Sequence, residues 1–223
     1  HERPLAGKTA IVIGGSRDIG EAIVESLTRE GVSVVFSCKN QRRGDSVVGK
    51  VTATGGQVKA FATDMSTPEG RSAFFDSALE TLGGSVDFLI LSGSGRTSGE
   101  NIELSEHMLD LTLPHMPEGS SVVKLQSVPG HFAPQLEGSF SGGVYEAIAA
   151  NKYPDAKYVR RRMRQMGQHR VRYIEICPPM VEDTFNYKGF RRLDPELIPK
   201  HAKVSEMFGL PAYAVRAQVG DKI

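Results

Sequence analysis

The sequence predicts an α/β chain, a doubly wound parallel sheet in three layers, and three observations point to it. Short apolar runs alternate with helix-length amphipathic segments along most of the chain, the sequence form of a parallel sheet wrapped by helices. The first apolar run ends in a glycine-rich turn, Gly14-Gly15-Ser16-Arg17-Asp18-Ile19-Gly20, that opens a helix. The bulk numbers fit a globular chain: 39% hydrophobic and 24% charged residues exclude a disordered one. At 223 residues a single domain, 1–223, is expected. A net charge of +1 gives no electrostatic case for nucleic acid or a membrane. No apolar run approaches the length of a bilayer span, and His1-Glu2-Arg3-Pro4 lacks the apolar core of a secretory signal, so a cytoplasmic location is expected.

The elements follow in order. Residues 9–13 make an apolar strand, 19–29 a helix with Ile19, Ile23 and Leu27 on one face, and 32–37 a β-branched second strand. A helix over 43–54 stops at Gly55-Gly56 before a strand at 58–62. Pro68 opens a helix to about 82, and 86–91 is the fourth strand. Pro114 and Pro117 leave only about 104–113 for the next crossover helix. Strands at 121–125 and 170–176 flank a helix that can begin at Pro154, with Val159, Met163 and Met166 buried and Arg160, Arg161, Arg162 and Arg164 in solvent. Two turns of helix at 211–217 and a last strand at 218–223 complete the pattern. The short crossover and tail suggest missing chain near Asp110/Leu111, Phe185/Asn186 and Ala217/Gln218. Cys38 and Cys177 fall at strand ends without metal-ligand spacing, so reduced thiols and no metal site are expected.

A glycine-rich turn between strand and helix lets the backbone approach a pyrophosphate, whose charge the helix N-terminus stabilises. This turn lies between a first strand and a helix, with a second strand after it, as a Rossmann-type dinucleotide site requires. Gly14, Ser16, Arg17, Asp18 and Ile19 are therefore candidate cofactor contacts, with Asp18 read as a cap for helix amides. The end of the second strand decides the cofactor, because an acid there accepts from an NAD ribose. Ser37 stands at that place, with Lys39 and Arg17 near enough to bind a 2′-phosphate, and NADP(H) is expected.

Leu5-Ala6-Gly7-Lys8-Thr9-Ala10, the GGSRDIG turn, and Asp64-Met65 after the third strand resemble the short-chain dehydrogenases/reductases, from Leu5 to about Phe88 and less evenly beyond. That family's turn is usually TGxxxGxG, so Ile13 and Asp18 depart from it. The resemblance implies that Asp64 and Met65 border the adenine, and that Leu91-Ser92-Gly93-Ser94 replaces the family's NNAG on the nicotinamide side. It also implies a Ser, Tyr and Lys that reduce a carbonyl, with Tyr and Lys four apart on a helix. Ser127 matches the Ser, and Tyr153-Pro154-Asp155-Ala156-Lys157 has the Tyr–Lys spacing. Counting back from Pro178 puts Lys152 at the Lys position and Ile148 at the Tyr position instead. Pro178 and Pro179 replace the Pro-Gly after the sixth strand, with Val181 nearby and Asp183 where a Thr would hold the carboxamide. A substrate loop is expected at about 185–210.

Three functions follow from the resemblance. The leading one is an NADPH-dependent reductase of a small organic carbonyl or imine, in secondary metabolism, with a homo-oligomer possible. The second is similar to fungal bifunctional imine reductases and Diels–Alderases of indole-alkaloid assembly, in which Asp155 or Arg96 supplies a charge in place of the Tyr acid. The third is an NADP(H)-sensing module without turnover.

Overall fold

The computed structural model describes residues 3–93, 98–126, 154 and 161–178, together with the backbone of 181–182 and 215–216. Six parallel strands form one sheet: β1 (Thr9–Ile13), β2 (Ser33–Cys38), β3 (Val58–Ala62), β4 (Phe88–Leu91), β5 (Ser121–Leu125) and β6 (Arg172–Ile176). Their order is β3-β2-β1-β4-β5-β6, so the chain reverses direction across the sheet between β1 and β4. Helices α1 (Asp18–Arg29) and α2 (Gln41–Ala53) follow β1 and β2, while α3 (Pro68–Thr81), α4 (Ser98–Thr112) and α5 (Met163–Gln168) precede β4, β5 and β6. Two cores result, one on each face. Val12, Val24, Val34 and Phe36 belong to the first, and Ile11, Leu89, Phe74 and Met108 to the second. The doubly wound α/β sheet expected from the alternating pattern is the observed fold.

Local chemistry sets the helix starts. Asn40 caps α2 by accepting from the Arg43 N–H at 3.1 Å, and Thr67 caps α3 by accepting from the Gly70 N–H at 3.1 Å, with Pro68 in the first turn. The α1 stripe is rotated by one residue from the expected one: Gly20, Val24 and Thr28 are buried, whereas Ile23 and Leu27 are only partly so. Gly20 is the cause. A Cβ there would stand 2.1 Å from the Gly14 carbonyl oxygen, so the helix meets the sheet on the side where it lacks a side chain.

Three further differences have physical reasons. The crossover helix α4 has 15 residues, begins at Ser98 and runs through Asp110 and Leu111 without a break. Its buried face contains Asn101, Ser105 and Thr112, polar residues that an apolar periodicity does not register. Pro114 then closes it into a short 3-10 turn, Leu113–His115. On the segment leading into α5, Met163 is 50% exposed, while the Arg162 side chain is 17% exposed and pairs with Asp110 and Glu106 of α4. Partners on α4 thus draw Arg162 inward, contrary to its expected place in solvent, and Met166 alone of the expected methionine pair is buried. β6 starts two residues late because Arg170, at φ 54, is still in the turn before it. Val215–Arg216 pairs in parallel with Val181–Glu182 as a two-stranded ladder, where a helix was expected. The other two places where chain seemed missing, and the last strand, lie outside the described residues.

At the N-terminal ends of β1 and β4, Asp87 accepts from Lys8 Nζ at 2.8 Å, from the Thr9 N–H at 3.0 Å and from Thr9 Oγ1 at 3.1 Å. Burial alone would raise its pKa; these three donors outweigh burial and hold it below the usual 3.8. A carboxylate so lowered contributes stability above its unfolded pKa and loses it as the pH falls through the folded value. Asp87→Asn should therefore cost about 2 kcal/mol at pH 7. Urea titrations of both proteins should show that difference shrinking below about pH 4; a difference that stays constant into acid would reject the assignment.

Candidate cofactor and active site

The turn after β1 is shaped by close approaches. Gly14 has φ +83, and a Cβ on it would lie 2.9 Å from the Gly93 Cα. Gly93 donates its N–H to the Ile13 carbonyl at 2.6 Å, which locks the end of β4 against the end of β1. A Cβ on Gly15 would lie 2.6 Å from the Phe36 Cβ. Ser37 completes the turn from behind: its Oγ accepts from the Gly14 N–H at 3.0 Å and its carbonyl from the Gly15 N–H at 3.1 Å. At 1% exposure Ser37 supports the turn rather than standing at its mouth, and the strand-end position belongs to Cys38. Cys38 is itself buried, and burial pushes its thiol pKa up. Lys39, next in the chain, is exposed.

Arg17 takes the N-cap of α1, without a side-chain cap hydrogen bond, and Asp18 begins the helix at φ 53, a left-handed conformation that Asp tolerates better than most residues. Asp18 Oδ2 lies 3.6 Å from Arg17 Nε. The expected cap position has thus moved back by one. Beyond the turn, a cleft of about 230 Å³ between α1 and α2 is lined by Ser16, Arg17, Glu21, Arg43, Ser46 and Lys50 among others. Lys50 and Glu21 pair at 2.5 Å, and that bond raises the lysine pKa. Arg17 and Arg43 both line the same cleft. Arg43 was missed at the level of sequence, although a signal existed. The first turn of α2 has no acid and instead carries Arg42 and Arg43, cations that the positive end of a helix disfavours unless an anion is near.

Across the sheet edge, Asp64 is exposed and its Oδ1 accepts from Ser66 N at 3.0 Å and Ser66 Oγ at 2.6 Å, which shapes the loop after β3. Met65 is only 8% exposed and packs in the second core, so its side chain holds the loop from below. Arg71 of α3, another residue missed, ties the same loop down by donating to the Met65 and Ser66 carbonyls at 3.2 and 3.3 Å and to His107 Nδ1 at 3.0 Å. On the side of β4, β5 and β6, Ser92, Gly93 and Pro178 are half-buried at strand ends. Beneath them Lys124 donates to Ser105 Oγ at 2.8 Å, and both are buried. Ser127, Lys152, Tyr153, Asp155, Lys157, Pro179 and the side chain of Val181 lie outside the described residues, as does Arg96. Among the described residues no cluster of three or more His, Cys, Asp or Glu could hold a metal ion, and no helix is long and apolar enough to cross a membrane.

Residues 8–112, a little under half of the chain, match the family described as short chain dehydrogenase. Short-chain dehydrogenase/reductase SDRA of Arabidopsis thaliana is 27% identical over 178 residues, 70% of this chain and 69% of that protein. Tropinone reductase-like 3 of Erythroxylum coca is 28% identical over 148 residues, 59% of this chain and 57% of that protein. The fold is shared with a 7 alpha-hydroxysteroid dehydrogenase complexed with NADH and 7-oxo glycochenodeoxycholic acid, at a TM-score of 0.74 and 21% identity over 98% of this chain and 96% of that one. It is also shared with a short chain dehydrogenase from Burkholderia cenocepacia J2315 in complex with NADP, at a TM-score of 0.72 and 19% identity over 98% of this chain and 100% of that one. Turn, strand order and sequence matches agree in their likeness to the short-chain dehydrogenases/reductases.

Proposed function

We propose that this chain is an NADPH-dependent reductase of a small organic carbonyl or imine. The observation that carries the reading is that two arginines, Arg17 and Arg43, line a cleft beside the glycine turn, with no acid at the end of β2. Two such groups suit the dianion of a 2′-phosphate through charge-assisted hydrogen bonds. Glu21, the acid of that cleft, is held by Lys50. The narrow Gly14–Gly93 approach leaves room for a pyrophosphate to meet the backbone at the start of α1.

In this reading Gly14, Ser16, Asp18 and Ile19 border the pyrophosphate, and Lys39 joins the arginines. Asp64 and Met65 form the wall for the adenine. Ser92, Gly93, Pro178, Pro179 and Val181 line the nicotinamide side. When bound, NADPH supplies the hydride. Ser127 orients the substrate oxygen, Tyr153 donates the proton and Lys157, or Lys152, lowers the pKa of that acid.

Arg17→Ala and Arg43→Ala should each raise the dissociation constant for NADPH by about 10- to 100-fold while leaving NADH little changed, as read by nicotinamide fluorescence. An equal loss for both cofactors would reject the 2′-phosphate assignment. For the acid, Tyr153→Phe should lower the rate of NADPH oxidation with imine and ketone substrates by about 10²- to 10⁴-fold. A loss confined to Asp155→Ala favours the bifunctional imine reductase and Diels–Alderase instead. Binding without oxidation in any protein would leave only the sensing module.

A further inference from the structure

Gln126 directly follows β5, is 6% exposed and donates its backbone N–H to the Ile176 carbonyl at 2.8 Å. Neither Oε1 nor Nε2 of its side chain has a hydrogen-bond partner among the described residues. Strand alternation puts Gln126 on the same face as Lys124, whose ammonium has Ser105 as a partner. A buried carboxamide with both ends unmade is costly, and a native fold keeps such a group where something else satisfies it. Thr112 Oγ1 and Ser120 Oγ are also without partners among the described residues, but both lie toward the N-terminal end of β5. Gln126 lies at the carboxyl end, where open α/β sheets bind ligands, and precedes Ser127.

We propose that Gln126 is a ligand-recognising residue at the carboxyl edge of the sheet whose carboxamide pairs with a carboxamide or lactam of a bound molecule. A glutamine amide presents one acceptor and one donor side by side, so an amide partner satisfies both at once, whereas a lone ketone satisfies only the N–H. Two molecules could bring that group: the nicotinamide, in which case the inference rests on the cofactor reading above, or an amide-bearing substrate.

The test uses Gln126→Leu in the full chain. Because it removes an unsatisfied group without emptying its space, the ligand-free variant should melt at the wild-type temperature or about 2–4 °C above it. If nicotinamide is the partner, the variant binds NADPH about tenfold more weakly, and its affinity for the 3-acetylpyridine analogue, which has no amide N–H, changes little. If the substrate brings the amide, NADPH affinity holds. Isatin, a ketone fused to a lactam, then binds the NADP-loaded variant about tenfold more weakly, and N-methylisatin is unaffected. A lower melting temperature overturns the proposal by making Gln126 a structural residue, whatever the cofactor result. Unchanged affinity for both NADPH and isatin overturns it as well. Wild-type protein that binds neither NADPH nor NADH overturns the cofactor reading separately.

Discussion

The junction of β1 with β4 is the constraint on which the rest depends. At one end the Gly93 N–H meets the Ile13 carbonyl at 2.6 Å and any Cβ on Gly14 would collide with Gly93. At the other, Asp87 gathers Lys8 and both donors of Thr9. Because strand order reverses here, the helices that follow β1 and precede β4 cover opposite faces, and a crevice opens where the two turns diverge. Side chains at Gly14 or Gly93 would fill that crevice from within. The site is thus a consequence of two backbones held too close for anything but glycine.

Charge then gives the crevice a direction. The start of α1 offers a positive dipole end, and Arg17 and Arg43 add positive charge at the cleft beside it. Asp18 opposes it, yet Arg17 is nearby at 3.6 Å. Glu21 opposes it too, and Lys50 answers at 2.5 Å. Each acid near the cleft therefore has a basic neighbour, while Arg43 stands at a helix start with no acid in the first turn. The balance favours an anionic ligand on the outer side of the turn.

Much of this was legible in the sequence, for identifiable reasons. Strands β1 to β5 are short, apolar and bounded by glycine or proline, so they could be read to within a residue or two. The turn could be read because glycine there answers a backbone need. Ser37 could not be placed correctly, since whether a strand-end residue faces the turn or the cleft depends on register, and Ile13 pairs with Ser37 in a way that aims its hydroxyl at Gly14. Arg162 failed for another reason: cations are assigned to solvent by default, but its acids are on α4, 52 and 56 residues away in sequence by subtraction from 162. The proposed catalytic residues fall outside the described residues, and their reading rests on the family resemblance and on spacing.

The face of the sheet under α4 shows where local rules give way. Apolar periodicity predicts Leu and Val at positions that hold Asn101, Ser105 and Lys124, all at most 2% exposed. A hydrocarbon core would be cheaper there than a buried ammonium bonded to a serine hydroxyl. Arg71 repeats the choice between α3 and α4: it is 3% exposed and its guanidinium donates to His107 Nδ1. These polar groups lie beneath the two places the cofactor reading needs most, the loop after β3 and the carboxyl end of β5. Buried polar groups that tie down the loop after β3 and the carboxyl end of β5 hold in place the two segments on which the cofactor reading relies.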